Sequence, residues 1–151
     1  MKIPGEYVID ICYIFFIAIS IYFFYIGIYE TDLDYVLGTM AIITGLIVVP
    51  LRNYVHLIFG HMFYFIYLTT TSIFSNNKYL LGLNVVMLTN IILSRYFYSG
   101  CLLIKMRNND LSNTFSDGIS SISYYLNGNY LYPSLLGIST YRLINSLLLC
   151  D

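Results

Sequence analysis

The sequence predicts an all-α integral membrane protein: an up-down bundle of four transmembrane helices with a C-terminal interfacial or packed helix. Three observations predict it. Of 151 residues, 58% are hydrophobic and only 10% are charged, whereas a soluble domain carries about 25% charged residues. A soluble chain of this length could not cover its apolar surface with so few charges. Second, four long apolar runs stand out, and none alternates polar with apolar residues as a barrel strand does. Helices satisfy every backbone group internally, so they are the form in which such runs cross lipid. Third, the joins between runs are short, which forces antiparallel neighbours.

The first run, Ile11–Tyr29, has 19 uncharged residues and follows Asp10; with its leading residues it predicts a helix over 7–29. The second, Tyr35–Leu51, has 17 residues and predicts a helix over 35–51; the third, Tyr54–Phe74, has 21 and predicts one over 54–74. At about 1.5 Å per residue these three runs reach roughly 28, 26 and 32 Å, close to the roughly 30 Å of a hydrocarbon layer. The fourth, Tyr79–Ile104, has 26 residues interrupted by Arg95 and predicts a helix over 79–104. "ETDLD", "PLRN" and "SNNK" join them, and Pro50, with no amide hydrogen, breaks the pattern between the second and third.

Residues 1–104 thus form the transmembrane domain, and 105–151 differ in character. "KMRNNDLSNTFSDG" is polar and predicts a solvated loop. "NGNYLYP" predicts a turn, after which Ser134 is positioned to cap a helix starting at Leu135. Gly137, Arg142 and Asn145 make that helix a poor fifth span. It is expected to lie at the interface or pack against protein.

Basic residues set the orientation. With the N-terminus inside, Lys2, Arg52, Lys105 and Arg107 are inside and only Lys78 is outside, beside an equally outward acidic loop of Glu30, Asp32 and Asp34. The net charge of −1 carries no cluster of Lys and Arg for phosphate, so nucleic-acid binding is not expected. Cys12, Cys101 and Cys150 are far apart, without disulfide or zinc spacing. The N-terminal apolar stretch is too long, and lacks the small-residue pattern, for a cleaved signal peptide.

Few residues could carry chemistry. His56 and His61, in "HLIFGHMFYF", are five apart, so they point about 140° from one another on a helix. They cannot share one metal, and each could hold a haem only with an axial partner elsewhere. Asp10 and Arg95 are intramembrane charges whose pairing would relieve the cost of burying both. Gly38, Ala41 and Gly45 follow i, i+3, i+7 spacing and form a small-residue seam for close helix packing. The hydroxyls of "TTTS" (Thr69–Ser72) can bond back to their own helix. No phosphate-binding glycine loop, nucleophile set or paired-carboxylate site occurs, so no enzymatic activity, metal or cofactor is expected.

Two stretches carry a resemblance. "VLGTMAIITGLIVVPLRNYVHLIFGHMFYFIYLTTTSIF" is similar to the middle of small four-span membrane proteins encoded by large DNA viruses, with Arg52, Asn53 and Thr69–Thr71 in analogous places. "IILSRYFYSGCLLIKM" resembles the Cys-x-Leu stretch closing many viral multispan proteins, through Cys101 and Leu103. The resemblance implies a non-catalytic, structural multispan subunit of a larger membrane assembly, such as the internal membrane of a virus particle. Its partners would be lipid and other membrane subunits, met through transmembrane helix packing. "HLIFG" is also similar to the His-x-x-x-Gly stretch of haem-b anchor subunits of succinate dehydrogenase, although Met62, Phe63 and Tyr64 follow where those families carry Arg, His and Asp. That likeness implies the alternative of a haem-anchoring or accessory subunit in the mitochondrial inner membrane, with haem b on His56 or His61. A third alternative is an oligomeric channel.

Overall fold

The computed structural model describes residues 4–48, 54–97 and 128–148. Five α-helices occupy them: α1 (Pro4–Tyr25), α2 (Asp32–Val48), α3 (Tyr54–Phe74), α4 (Lys78–Phe97) and α5 (Gly128–Leu148). No strand occurs among the described residues. The all-α class expected from the sequence is therefore observed. By length and composition, however, α4 is the one described helix able to cross a membrane; the apolar stretches Ile14–Tyr25 and Met62–Phe74 are shorter. By that measure one crossing is supported, not the expected four.

α1 stops at Tyr25, four residues short of the apolar run, and the cause is Gly27. Its φ of 69° is left-handed, a conformation that costs glycine nothing. Ile28 N–H then reaches the Phe23 carbonyl at 3.1 Å and Gly27 N–H the Phe24 carbonyl at 3.3 Å. Those two bonds form a Schellman cap, which satisfies carbonyls the helix end would leave open.

α2 begins at Asp32 because Thr31 and Asp34 cap it reciprocally. The Asp34 N–H donates to Thr31 Oγ1 at 3.2 Å, and the Thr31 N–H donates to Asp34 Oδ2 at 3.2 Å. This is a capping box with aspartate in the place of the usual glutamate. α4 is capped by Asn77, whose Oδ1 accepts from the Tyr79 N–H at 3.0 Å and the Leu80 N–H at 3.4 Å.

The C-terminal segment differs most from expectation. α5 has 21 residues and starts at Gly128, so the expected turn at "NGNYLYP" is helical from Gly128 onward. Pro133 lies inside it and forfeits one backbone bond, because it has no N–H to donate. Ser134 is not a cap: its hydroxyl donates to the Tyr130 carbonyl at 2.8 Å. Tertiary packing stabilises the helix. Its Tyr132 and Leu135 join the core formed by Leu68 of α3 and Leu80, Leu83 and Leu88 of α4.

The chain order becomes a bundle in which α2 packs on α1 and α3, and α5 packs on α3 and α4. Phe16 of α1 reaches across to α3, its ring edge-on to Tyr64 at 5.7 Å and to Tyr67 at 5.2 Å. α5 runs antiparallel to α4: Tyr132 near its start lies against Arg95 in the last turn of α4, while Arg142 bonds to the α3–α4 join.

The small-residue seam is buried within the chain. Gly38, Ala41 and Gly45 are all buried. At Gly38 the close neighbour is not another helix but the ring of Tyr29, whose Cζ would lie 2.5 Å from an added Cβ. The ring has little freedom to retreat. It packs edge-on against Phe24 at 4.6 Å, and its hydroxyl donates to the Ser20 carbonyl at 3.3 Å. Gly38→Ala is therefore expected to lower stability by about 1–3 kcal/mol, although alanine is the better helix former by about 1 kcal/mol. The midpoint of SDS-induced unfolding in mixed micelles reads this. Tyr29→Ala in the same chain should relieve the penalty; an unchanged penalty would show that Gly38 does not serve the ring.

Candidate functional site: polar networks inside the bundle

Every helix turns a polar side chain inward: Ser20 on α1, Thr44 on α2, Ser72 on α3, Asn84 on α4 and Ser139 on α5 are each no more than 1% exposed. Burying a polar group is costly unless it is hydrogen-bonded, and four of the five are arranged accordingly, while Ser20 Oγ has no partner among the described residues. Thr44 donates to the Met40 carbonyl at 2.6 Å and Ser72 to the Leu68 carbonyl at 2.7 Å. The back-bonding expected of the threonine-serine cluster is seen at Ser72, whereas the hydroxyls of Thr69 and Thr71 are buried without a partner among the described residues.

Three of the five residues also meet one another. Asn84 Nδ2 lies 2.9 Å from Ser72 Oγ, 2.9 Å from Ser139 Oγ and 3.2 Å from the Leu68 carbonyl. Ser139 Oγ donates to Ser72 Oγ at 2.9 Å. One amide therefore ties α4 to α3 and α5 at a single level of the bundle. The amide oxygen, Asn84 Oδ1, is buried without a partner among the described residues.

A second network closes one end of the molecule. Asp34, only 3% exposed, accepts at Oδ2 from the Glu30 N–H at 3.3 Å, the Thr31 N–H at 3.2 Å and Asn77 Nδ2 at 3.4 Å. Asn77 Nδ2 also donates to the Ile28 carbonyl at 2.8 Å. The α1–α2 and α3–α4 joins are thereby held together, as the up-down order requires. Burial, reinforced by the nearby Asp34 carboxylate, pushes the Tyr29 phenol up to about 12. A raised acid pKa means the folded state holds its proton more tightly. That contribution is complete below the ordinary value near pH 10 and is lost as pH climbs toward 12.

Arg142 belongs to the same end. Its guanidinium donates to the Ile73 carbonyl and, at 2.7 Å, to Asn76 Oδ1. A cation at the C-terminus of α3 also meets the negative end of that helix's dipole. The residue that argued against a fifth span is used here to dock α5.

The other anticipated residues separate. Arg95 lies at the opposite end of α4 from this network, its guanidinium 5.6 Å from the centre of the Tyr132 ring. The backbone places Asp10 on α1 and both His56 and His61 on α3, but their side chains, and with them the expected Asp10–Arg95 pair and haem ligands, lie outside the described ones. Lys2, Arg52, Lys105, Arg107, Cys101 and Cys150 also lie outside the described residues. Among the described residues no group of three or more His, Cys, Asp or Glu could hold a metal ion.

Sequence reasoning missed Asn84, Ser139, Asn77 and the capping role of Asp34. Asn77 and Asp34 carried a signal, since each sits at a helix start where an acceptor is needed. Asn84 and Ser139 carried none, because nothing local relates residues 55 positions apart.

The arrangement is that of a helical bundle whose apolar core holds a few buried polar side chains that join its helices. Compared with protein families, curated proteins and solved structures, the chain matches none.

Proposed function

We propose that the chain is a non-catalytic, architectural membrane subunit whose helices lie in the bilayer and whose mass is almost all within it. One observation carries the reading: apolar side chains cover the outside of every helix, while several polar side chains are buried within the core. Large apolar side chains face outward on every helix, including Ile14 (55%), Val36 (55%), Val86 (47%) and Ile144 (50% exposed). The polar residues Ser20, Thr44, Ser72, Asn84 and Ser139 face inward. Water would reverse both choices. Lipid favours them, because hydrocarbon is as apolar as leucine and polar groups act as adhesive between helices.

In this reading α1 to α4 cross the membrane and α5 completes the bundle against α3 and α4. The resemblance to four-span proteins of large DNA viruses supports a place in the internal membrane of a virus particle, with other membrane subunits as partners. Expression of the full chain in cells, followed by alkaline carbonate washing of the membranes, tests the embedding. The chain is expected to stay in the membrane pellet and to float with lipid on a density gradient. Recovery as a dissolved monomer in detergent-free buffer would overturn the reading.

A further inference from the structure

The lipid-facing side of α4 carries a feature that the bundle leaves unused. α4 buries Leu80, Leu83, Asn84, Met87 and Leu88 against its neighbours. Its opposite side exposes Val86, Asn90, Leu93 and Phe97, at successive spacings of four, three and four residues. That is the period of a seam between two helices crossing at a shallow left-handed angle. One turn before Val86, Gly82 leaves open space: a Cβ there would meet no atom within 4 Å.

Asn90 is the anomaly on this face. It is exposed, and its amide has no hydrogen-bond partner among the described residues. Thr89 beside it is satisfied, donating to the Val85 carbonyl at 2.8 Å. Counting along α4, Asn90 lies about 18 Å from Lys78 and about 10 Å from Phe97, well inside the one described helix that is long and apolar enough to span. In the bilayer reading proposed above, on which this inference rests, that amide would sit in hydrocarbon with two donors and an acceptor unpaired. Such a group costs free energy until another polar group covers it.

We propose that this face of α4 is a self-association surface, and that its occupant is α4 of a second copy of the chain, joined through Asn90. The choice of occupant follows from charge complementarity. A carboxamide carries partial positive charge on its N–H groups and partial negative charge on its oxygen. Across a two-fold axis, two such groups meet antiparallel, each donating to the other's oxygen. A closed two-fold interface places the same residue on both sides. A lipid chain offers neither donor nor acceptor. Gly82 lets the two backbones converge, and Val86, Leu93 and Phe97 supply the apolar packing on either side of the amide pair.

The full chain, with Cys12, Cys101 and Cys150 replaced by serine, is reconstituted in phosphatidylcholine vesicles, and Leu93→Cys is oxidised to trap neighbours. The expected result is a disulfide-linked dimer at Leu93→Cys and none at Ile43→Cys on α2. Asn90→Leu should lower the dimer association constant, measured by energy transfer on lipid dilution, by about threefold to thirtyfold. Because Asn90 is exposed, its replacement by leucine leaves the bundle core intact, and an unchanged SDS-unfolding midpoint of the monomer checks this. A monomer at all lipid dilutions, or a dimer indifferent to Asn90→Leu, overturns the proposal. Flotation of the same vesicles separates the two levels: a chain that floats but does not associate refutes only the α4 surface. A chain that does not float refutes the membrane reading as well.

Discussion

Asp34→Ala is expected to destabilise the protein by about 2–4 kcal/mol, combining a lost helix cap with lost bonds to a charged acceptor. The size follows from how many donors depend on one oxygen. Asp34 Oδ2 receives the N–H groups of Glu30 and Thr31 and the Asn77 amide, all within 3.4 Å. Alanine leaves those donors without their acceptor and also removes negative charge from the positive end of α2. SDS-induced unfolding in mixed micelles measures the loss. Asp34→Asn, which keeps an acceptor but not the charge, should cost about half as much. Asn77→Ala breaks the same bridge from the other side and the α4 cap with it. The double variant should therefore lose less than the sum of the singles, as coupled sites do. Additive losses, or an Asp34→Ala protein as stable as the parent, would show that the two joins are not clamped by this carboxylate.

Asn84→Ala is expected to cost about 2–3 kcal/mol, part from lost interhelical bonds and part from the cavity left behind. Asn84→Leu separates these contributions. Leucine fills the space, and Ser139 can still donate to Ser72, which donates onward to the Leu68 carbonyl. It also removes the buried, unpartnered Oδ1. The leucine variant should thus lie within about 1 kcal/mol of the parent, since replacing a polar group by an apolar one of like shape is often nearly neutral. The same unfolding measurement decides between them, and equal penalties for alanine and leucine would assign the whole effect to hydrogen bonds. An alanine variant without penalty would remove Asn84 from any role in joining α3, α4 and α5.

Much of this fold was legible in the chain. Four of the five helices lie on the apolar runs, and α3 coincides with its run from Tyr54 to Phe74. The boundaries that moved did so for local reasons. Gly27 was hidden within an apolar run, yet a glycine there supplies the left-handed residue that ends α1. Thr31 and Asp34 read as acidic loop, but their spacing is that of a capping box. The small-residue seam reads as a face for close helix packing; its three residues are buried, but the close neighbour at Gly38 is a ring. Its partner was not recognised, because Tyr29 meets Gly38 only after the chain has turned at Gly27.

By itself, the order of residues determined that this chain is helical, where most of its helices lie, and that its outer surface is apolar. Those properties follow from period, composition and short joins, which act between neighbours in the chain. Tertiary structure alone decided the rest. It made a helix of Gly128–Leu148 despite Pro133, docked it through Arg142, and gathered Ser72, Asn84 and Ser139 into one network. The physical reason is that a buried hydrogen bond depends on which polar groups meet once water is excluded. That meeting is set by how helices pack, and no local pattern of residues records it.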